Sequence, residues 1–473
     1  MSDYNVIIVG AGGAGLAAAI TAREQGASCL ILEAADKPGG ATALCSGVMY
    51  AANTSVQTAA GIEGDTAEAM FQYVMTLAGW EAEPRIFRRM ADDSGPTIEW
   101  LKTLGVDFPP AYLTISGVET VPRGHVCPEG GWGIARELIN AAGAAGALTV
   151  LKTRVDTLIT TDGVVRGVVA GGTEVTADAV IVTTGGFGNS PEMIRQWYPT
   201  AASHGDWTYA VHMDAPFILG DGIRLGESVG AAIVGRDTGL LLPTSGLGKF
   251  IEAFLPPWVL LVNDSGVRFM NEAAPYAVSG YLINAQHDRL AFALFDESAL
   301  RDGSQDVRFS DPYGTGAAMP TWEHHRLRRA IADGRVIQAA TGGALAEALG
   351  IHASTLGQTV ARYNLMCDKG ADTDYFKITE RFFPLREAPF YARAVRASVI
   401  GQTGAGLNID ECARVLDTHG QVIPGLYAAG EVLGCAVGKR YSGGGMGVCN
   451  AMVFGRLAGR EAARSCVESK PVG

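Results

Sequence analysis

Gly10-x-Gly12-x-x-Gly15, with Glu33 downstream, is the spacing in this sequence that most directly specifies chemistry. Gly10 permits a tight turn, Gly12 leaves no side chain in the way of a pyrophosphate, and Gly15 lets a helix pack close to a strand. A helix starting there turns free N–H groups and the positive end of its dipole toward phosphates. Glu33, 18 residues after Gly15, is placed to accept hydrogen bonds from ribose hydroxyls. Gly13 and Ala14 in the turn and Ala34 beside the acid belong to the same set. A second candidate group lies near the other end. Residues 438–451, "GKRYSGGGMGVCNA", pack five glycines around Tyr441 and Ser442. A run so poor in side chains builds no core, so its bare backbone must approach something else.

The elements around the first group read consistently. Val6 to Val9 form a continuous apolar run, as in a strand buried on both faces. Leu16 to Gln25 is alanine-rich with helical apolar spacing, and Cys29 to Leu32 is a second buried strand. Strand, tight turn, helix, strand and acid follow in order. Further on, 64–104 reads as a helical insertion and 134–150 as an alanine-rich helix with a strand after it. Residues 152–177 read as a small β-meander with "TDG" and "AGG" as turns.

The chain has 473 residues, 48% apolar and 18% charged, as in a well-buried protein of two or three domains. A net charge of −12 argues against nucleic acid or an anionic membrane as partner. The eight cysteines include no CxxC pair, so neither a zinc site nor a dithiol centre is indicated, and no metal is expected. They read as buried thiols in a reducing compartment. No signal peptide or membrane-spanning run is visible, and a cytoplasmic location is the expectation.

After Glu33 the chain turns into "DKPGGATALCSGVMYA" rather than another βα unit. With Gly39, Gly40, Thr42, Ser46 and Gly47 in place, this stretch resembles the flavoprotein superfamily of fumarate reductases and 3-ketosteroid dehydrogenases, where the loop lies along FAD. Three further segments carry the resemblance. "ADAVIVTTGGFGNS" ends a buried strand at Gly185-Gly186, "GDGIRLGESVGA" opens a helix at Gly220-Asp221-Gly222, and "VIPGLYAAGEVLG" runs a strand into Gly430-Glu431. The resemblance implies an α/β fold: a Rossmann-like FAD-binding domain over 1–233 and 385–473, with an α+β cap domain inserted over 234–384. It implies FAD contacts from these segments, from Asp221 and Val155, and from Gly445, Met446 and Gly447. Relatives that bind flavin covalently carry a histidine in the first loop. Ala41-Thr42-Ala43 stand here, so non-covalent FAD is expected.

The superfamily splits into C4-dicarboxylate reductases and ketone desaturases. The reductases hold carboxylates with histidines and arginines. Here Tyr276 replaces the proton-donating arginine after "RFMNE", Leu242-Pro243-Thr244 stands for "HPT", Gly401 to Gly406 holds no histidine, and Tyr441 replaces a late arginine. Tyr441 with Gly445 four residues on resembles the desaturases, where a tyrosine hydroxyl and a glycine N–H bind the ketone oxygen. Two such donors stabilise the enolate that forms when an α-proton leaves.

The resemblance thus implies FAD-dependent desaturation of a cyclic ketone, a 3-ketosteroid or a smaller oxocyclohexane type. Tyr276 is the base, and hydride passes from the β-carbon to flavin N5. The electron acceptor, oxygen or a quinone type, is left open. The alternative is an enone or fumarate-type C=C reductase. A free tyrosine titrates near 10, so Tyr112 or Tyr281 is a candidate to assist Tyr276. His125 reads first as a structural histidine and second as an active-site residue. Lys439 and Arg440 read first as solvent-facing.

Overall fold

A computed structural model describes residues 2–215, 217–249, 255–303, 321–378 and 382–468. The chain forms two compact units: residues 1–203, 212–240 and 402–473 make the first, and 204–211 with 241–401 the second.

The first unit is built on an eight-stranded sheet. Its main path runs Arg414–Leu416, Val422–Ala428, Thr173–Val182, Tyr4–Val9, Cys29–Leu32, Leu148–Val150. The first strand pairs in parallel with both neighbours, Ile8 standing opposite Ile31 on one side and Ile181 on the other. Val6 to Val9 and Cys29 to Leu32 are buried throughout, as continuous apolar strands must be when both faces are covered. The hairpin Val155–Thr161 and Val164–Ala170 adds antiparallel onto Thr173–Val182.

Ten residues of the Gly13–Glu24 helix, Gly13 to Ala22, are buried. Its alanines permit this, because small side chains let neighbours close in on every side. The closing helix Met446–Glu468 lies against it. A Cβ added at Gly455 would come within 2.5 Å of the Ala14 carbonyl oxygen, and one at Gly459 within 2.2 Å of that of Ala18. These two glycines therefore serve backbone-to-backbone helix packing.

The helical insertion consists of Ala67–Leu77, capped by Thr66, and Pro84–Thr103, which starts on proline. The expected helix after residue 134 begins earlier, at Gly130, and runs to Ala144. The glycine-rich stretch after Glu33 is more regular than a loop. Gly40–Leu44 is a short helix, and Val48–Tyr50 is a strand pairing with Gly124–Val126. That pairing reaches some 75 residues along the chain, beyond what local pattern reports.

A second sheet, most of it in the second unit, runs in the order Gly239–Thr244, Phe390–Thr403, Ala291–Asp296, Leu260–Val262. Beside it, Arg268 bonds both oxygens of Glu272 at 2.9 and 2.8 Å and Asp372 at 2.8 Å, while Lys377 Nζ lies 3.1 Å from Glu272. All four side chains are buried. Burial pushes the Glu272 carboxyl up, but Lys377 and Arg268 outweigh it and hold it below its ordinary range. A buried charge that loses its partner costs about 3–5 kcal/mol, so these groups are committed together. Tyr276 follows four residues after Glu272, so this network anchors the chain just before that residue.

Candidate active site

The sheet delivers Gly10 at the end of the first strand. The Thr183 hydroxyl, just past Thr173–Val182, shares its one hydrogen between the carbonyls of Val9 and Gly10, at 2.8 and 2.9 Å. A Cβ at Gly15 would sit 2.0 Å from the Gly10 carbonyl oxygen, so only glycine lets the helix start so close to the strand end. A Cβ at Gly12 would meet nothing within 4 Å: its bareness serves open space, not protein packing. Gly13 and Ala14 are buried in the first turn of the helix.

Several residues separated in sequence converge here. Gly39 N–H donates to the Ala11 carbonyl at 2.8 Å, Gly13 N–H to Thr42 Oγ1 at 3.3 Å, and a Cβ on Gly40 would lie 3.1 Å from Gly12 Cα. Glu33 is buried, and its two oxygens accept from Ala11 N–H at 2.6 Å and Ala35 N–H at 2.7 Å. A carboxylate offers about four lone-pair positions, so two backbone bonds orient Glu33 and leave acceptor capacity for ribose hydroxyls. Ala34 is exposed beside it.

Gly430 ends the segment that begins with the Val422–Ala428 strand. Its carbonyl accepts from Asn450 Nδ2 at 3.0 Å, and a Cβ there would lie 2.9 Å from Ala14 Cβ. Glu431 Oε1 accepts from Thr403 N–H at 2.9 Å and Thr403 Oγ1 at 2.8 Å, and burial raises its carboxyl above the ordinary range. A Cβ on Gly186 would collide with both Glu431 and Thr403, which brings that segment alongside; its neighbour Gly185 has a left-handed φ of +73°. Val155 is buried at the start of its strand. Ser46 and Gly47 lie before the Val48–Tyr50 strand, where the Gly47 carbonyl accepts from Cys127 N–H at 3.0 Å. Asp221 opens the Asp221–Glu227 helix, with its carboxylate held by Arg154.

The glycine run around Tyr441 is fastened at many points. Tyr73 donates to the Ser442 carbonyl at 3.0 Å, Gly444 N–H to Ser116 at 2.9 Å, and Tyr50 N–H to the Gly445 carbonyl at 3.2 Å. Gly445 has φ +94°, and a Cβ there would come within 2.8 Å of the Tyr50 backbone nitrogen. The bareness of this glycine thus answers first to a neighbouring strand. Its own N–H takes no backbone partner among the described residues. The Tyr441 oxygen accepts from Gly447 N–H at 3.3 Å, in the first turn of the helix that Met446 begins. The positive end of that helix therefore faces the phenol, and a hydroxyl that accepts a hydrogen bond is a better donor.

Tyr276 belongs to the second unit, where it is buried as the first residue of the Tyr276–Asn284 helix. Tyr281, on the same helix, lies roughly 140° around the axis from it and is exposed; it does not share its face. Tyr112 is exposed in the first unit. His125 is structural: Nδ1 meets the Arg123 carbonyl at 2.9 Å and Nε2 the Thr54 hydroxyl at 2.8 Å. Burial lowers its pKa to about 4, so it is a neutral strand residue. Lys439 is exposed and pairs with Glu81 at 2.9 Å. Thr183, Thr403 and Asn450 were not legible as site residues, because a lone threonine or asparagine gives no signal until its partner is known.

FAD fits these residues. The Gly12 opening, the oriented acid and the helix end all suit a dinucleotide, and among the described residues the buried Oγ1 of Thr184 and Oδ1 of Asn450 have no hydrogen-bond partner. Among the described residues no cluster could hold a metal ion and no helix is long and apolar enough to cross a membrane.

Comparison with known proteins agrees. Residues 5–448 match the FAD binding domain family. The chain is 32% identical to the fumarate reductase (cytochrome) of Shewanella frigidimarina over 97% of its own length and 77% of that protein. It is 29% identical to the vinyl phenol reductase of Lactiplantibacillus plantarum over 98% and 97% of the two chains. The solved 3-ketosteroid-Δ4-(5α)-dehydrogenase from Rhodococcus jostii RHA1, in complex with 4-androstene-3,17-dione, superposes with a TM-score of 0.78 at 26% identity, covering 98% of both chains. The glycine turn, the oriented Glu33 and this match over most of the sequence agree, and the chain belongs to the FAD binding domain family as an FAD-dependent oxidoreductase of C=C chemistry.

Proposed function

We propose that this enzyme desaturates a cyclic ketone, a 3-ketosteroid or a smaller oxocyclohexane-type ketone, at its α,β carbons. The observation that carries this reading is Tyr441, set in a glycine run with its oxygen on the N–H of Gly447 at a helix N-terminus. A developing enolate needs donors aimed at its oxygen. Tyr441 O–H and Gly445 N–H supply the pair. Tyr276 removes the α-proton, and its place at the start of a helix favours negative charge on it. Bound FAD supplies the acceptor for the hydride that leaves the β-carbon. The inserted region 234–384 serves as the substrate-binding cap. Gly10, Gly12, Glu33, Thr42 and Glu431, with their neighbours, hold the cofactor without a covalent link.

Two measurements test this. Acid precipitation should carry the yellow colour into the supernatant; colour kept in the pellet would show a covalent bond. Anaerobic mixing of the oxidised enzyme with saturated cyclic ketones should bleach its flavin absorbance, while succinate should not, and fumarate should not reoxidise the reduced enzyme.

A second reading, reduction of an activated C=C bond, draws on the likeness to two named reductases. In that direction Tyr276 would deliver the proton instead of taking it. If no saturated ketone bleached the flavin while enones reoxidised it quickly, this second reading would replace the first.

A further inference from the structure

In the second unit, a basic cavity is lined by none of the residues assigned above. The sequence "HHRLRRAIADGR" from His324 to Arg335 is markedly basic in a chain whose net charge is −12. It folds as the helix His324–Ala332. Leu327 and Ala330 are buried, which fixes the rotation of the helix. Arg329 lies three residues after Arg326 and four after His325, the spacings that bring side chains together on a helix. Together with Arg335, Asp333 and Leu247 they line a cavity of about 490 Å³.

Arg335 is held in place rather than loose. It donates to the Leu247 carbonyl at 2.9 Å, and its own carbonyl accepts from Arg393 at 2.8 Å. Three neighbouring arginines have acidic partners: Arg326 with Glu323 at 2.8 Å, Arg328 with Glu297 at 3.1 Å, and Arg335 with Asp333 at 3.3 Å. Arg329, in the cavity wall, has no ion-pair partner among the described residues. Among the described residues, Arg326, Arg329 and Arg335 outnumber the carboxylates that pair with them, Glu323 and Asp333.

We propose that this cavity binds a phosphate-bearing small molecule, with its phosphoryl group on Arg326, Arg329 and Arg335. Guanidinium forks match phosphate oxygens with paired hydrogen bonds. A tetrahedral dianion can engage three of them from different directions, which a single planar carboxylate cannot. The volume falls in the range of small-molecule sites, about 300–1,000 Å³, and exceeds that of one phosphate group. Leu247 and Ala330 offer apolar wall for the rest of such a ligand.

The test is calorimetric titration of the FAD-loaded enzyme with inorganic pyrophosphate at low ionic strength. The flavin spectrum is followed in parallel, so that displacement from the dinucleotide site would be seen. Saturable binding with an unchanged spectrum is expected. It should weaken at least tenfold in Arg329→Gln, vanish in the Arg326→Gln/Arg329→Gln double variant, and persist in Arg301→Gln, whose ion pairs lie elsewhere. Added salt should weaken it, since the cations are exposed. Thermal melts establish that the variants are folded. Absence of saturable binding, equal binding by Arg329→Gln, or uptake of citrate without pyrophosphate would each overturn the proposal.

Discussion

Tyr441→Phe is expected to keep its FAD and lose about 10²–10³ in the rate at which a saturated ketone bleaches the flavin, the usual effect of removing one oxyanion donor. The substitution deletes a single oxygen. The ring stays packed against the hydrophobic core, and the fastenings of the loop through Tyr73, Ser116 and Tyr50 all act on backbone groups. The loop should therefore keep its course, and the loss should fall on the chemical step rather than on folding. Flavin absorbance should match the parent enzyme, and the melting temperature should fall only slightly, through loss of the Gly447 N–H bond to the phenol. A variant that bleaches at near-parental rate would exclude Tyr441 as the donor. A variant without flavin would instead assign Tyr441 to cofactor retention.

Tyr276→Phe should abolish two observables at once. With the base removed, the enzyme should no longer exchange the ketone's α-hydrogens with deuterated water, and flavin bleaching should fall by about 10²–10⁴, the range for a general base. Phenylalanine fills nearly the same buried volume at the start of the Tyr276–Asn284 helix. The Arg268–Glu272–Asp372–Lys377 network just before it is untouched, and thermal melts establish that the variant is folded. Tyr281→Phe is the matched control. It is exposed and on another side of the same helix, and should leave both observables intact. Exchange that persists in Tyr276→Phe would transfer the base role to another residue. Exchange lost with bleaching retained would separate proton removal from the rate-limiting step.

The sequence by itself determined the nucleotide-binding half of this protein. Val6 to Val9 and Cys29 to Leu32 are apolar without interruption, β-branched in part and bounded by glycine-rich or polar turns, as suits a strand covered on both faces; both are fully buried in the fold. Gly10, Gly12 and Gly15 owe their roles to backbone geometry within six residues, and Glu33 to a fixed distance along one βαβ unit. Such short-range constraints leave a direct imprint on residue order. The hairpin from Val155 to Ala170 was legible for the same reason, since its turn residues lie between its strands.

Tertiary structure decided what depended on partners far along the chain. The stretch after Glu33 reads as a loop, yet Val48–Tyr50 becomes a strand because Gly124–Val126 lies beside it. His125 could have served catalysis or structure; Thr54 and the Arg123 carbonyl occupy both its nitrogens, and burial keeps it neutral. Gly445 read as bare for the sake of a cofactor and ketone, whereas the backbone of Tyr50 already occupies the side where its Cβ would stand. The orientation of Glu431 rests on Thr403, 28 residues upstream. A hydrogen bond or a close approach is a relation between two residues, and residue order along one segment records only one of them.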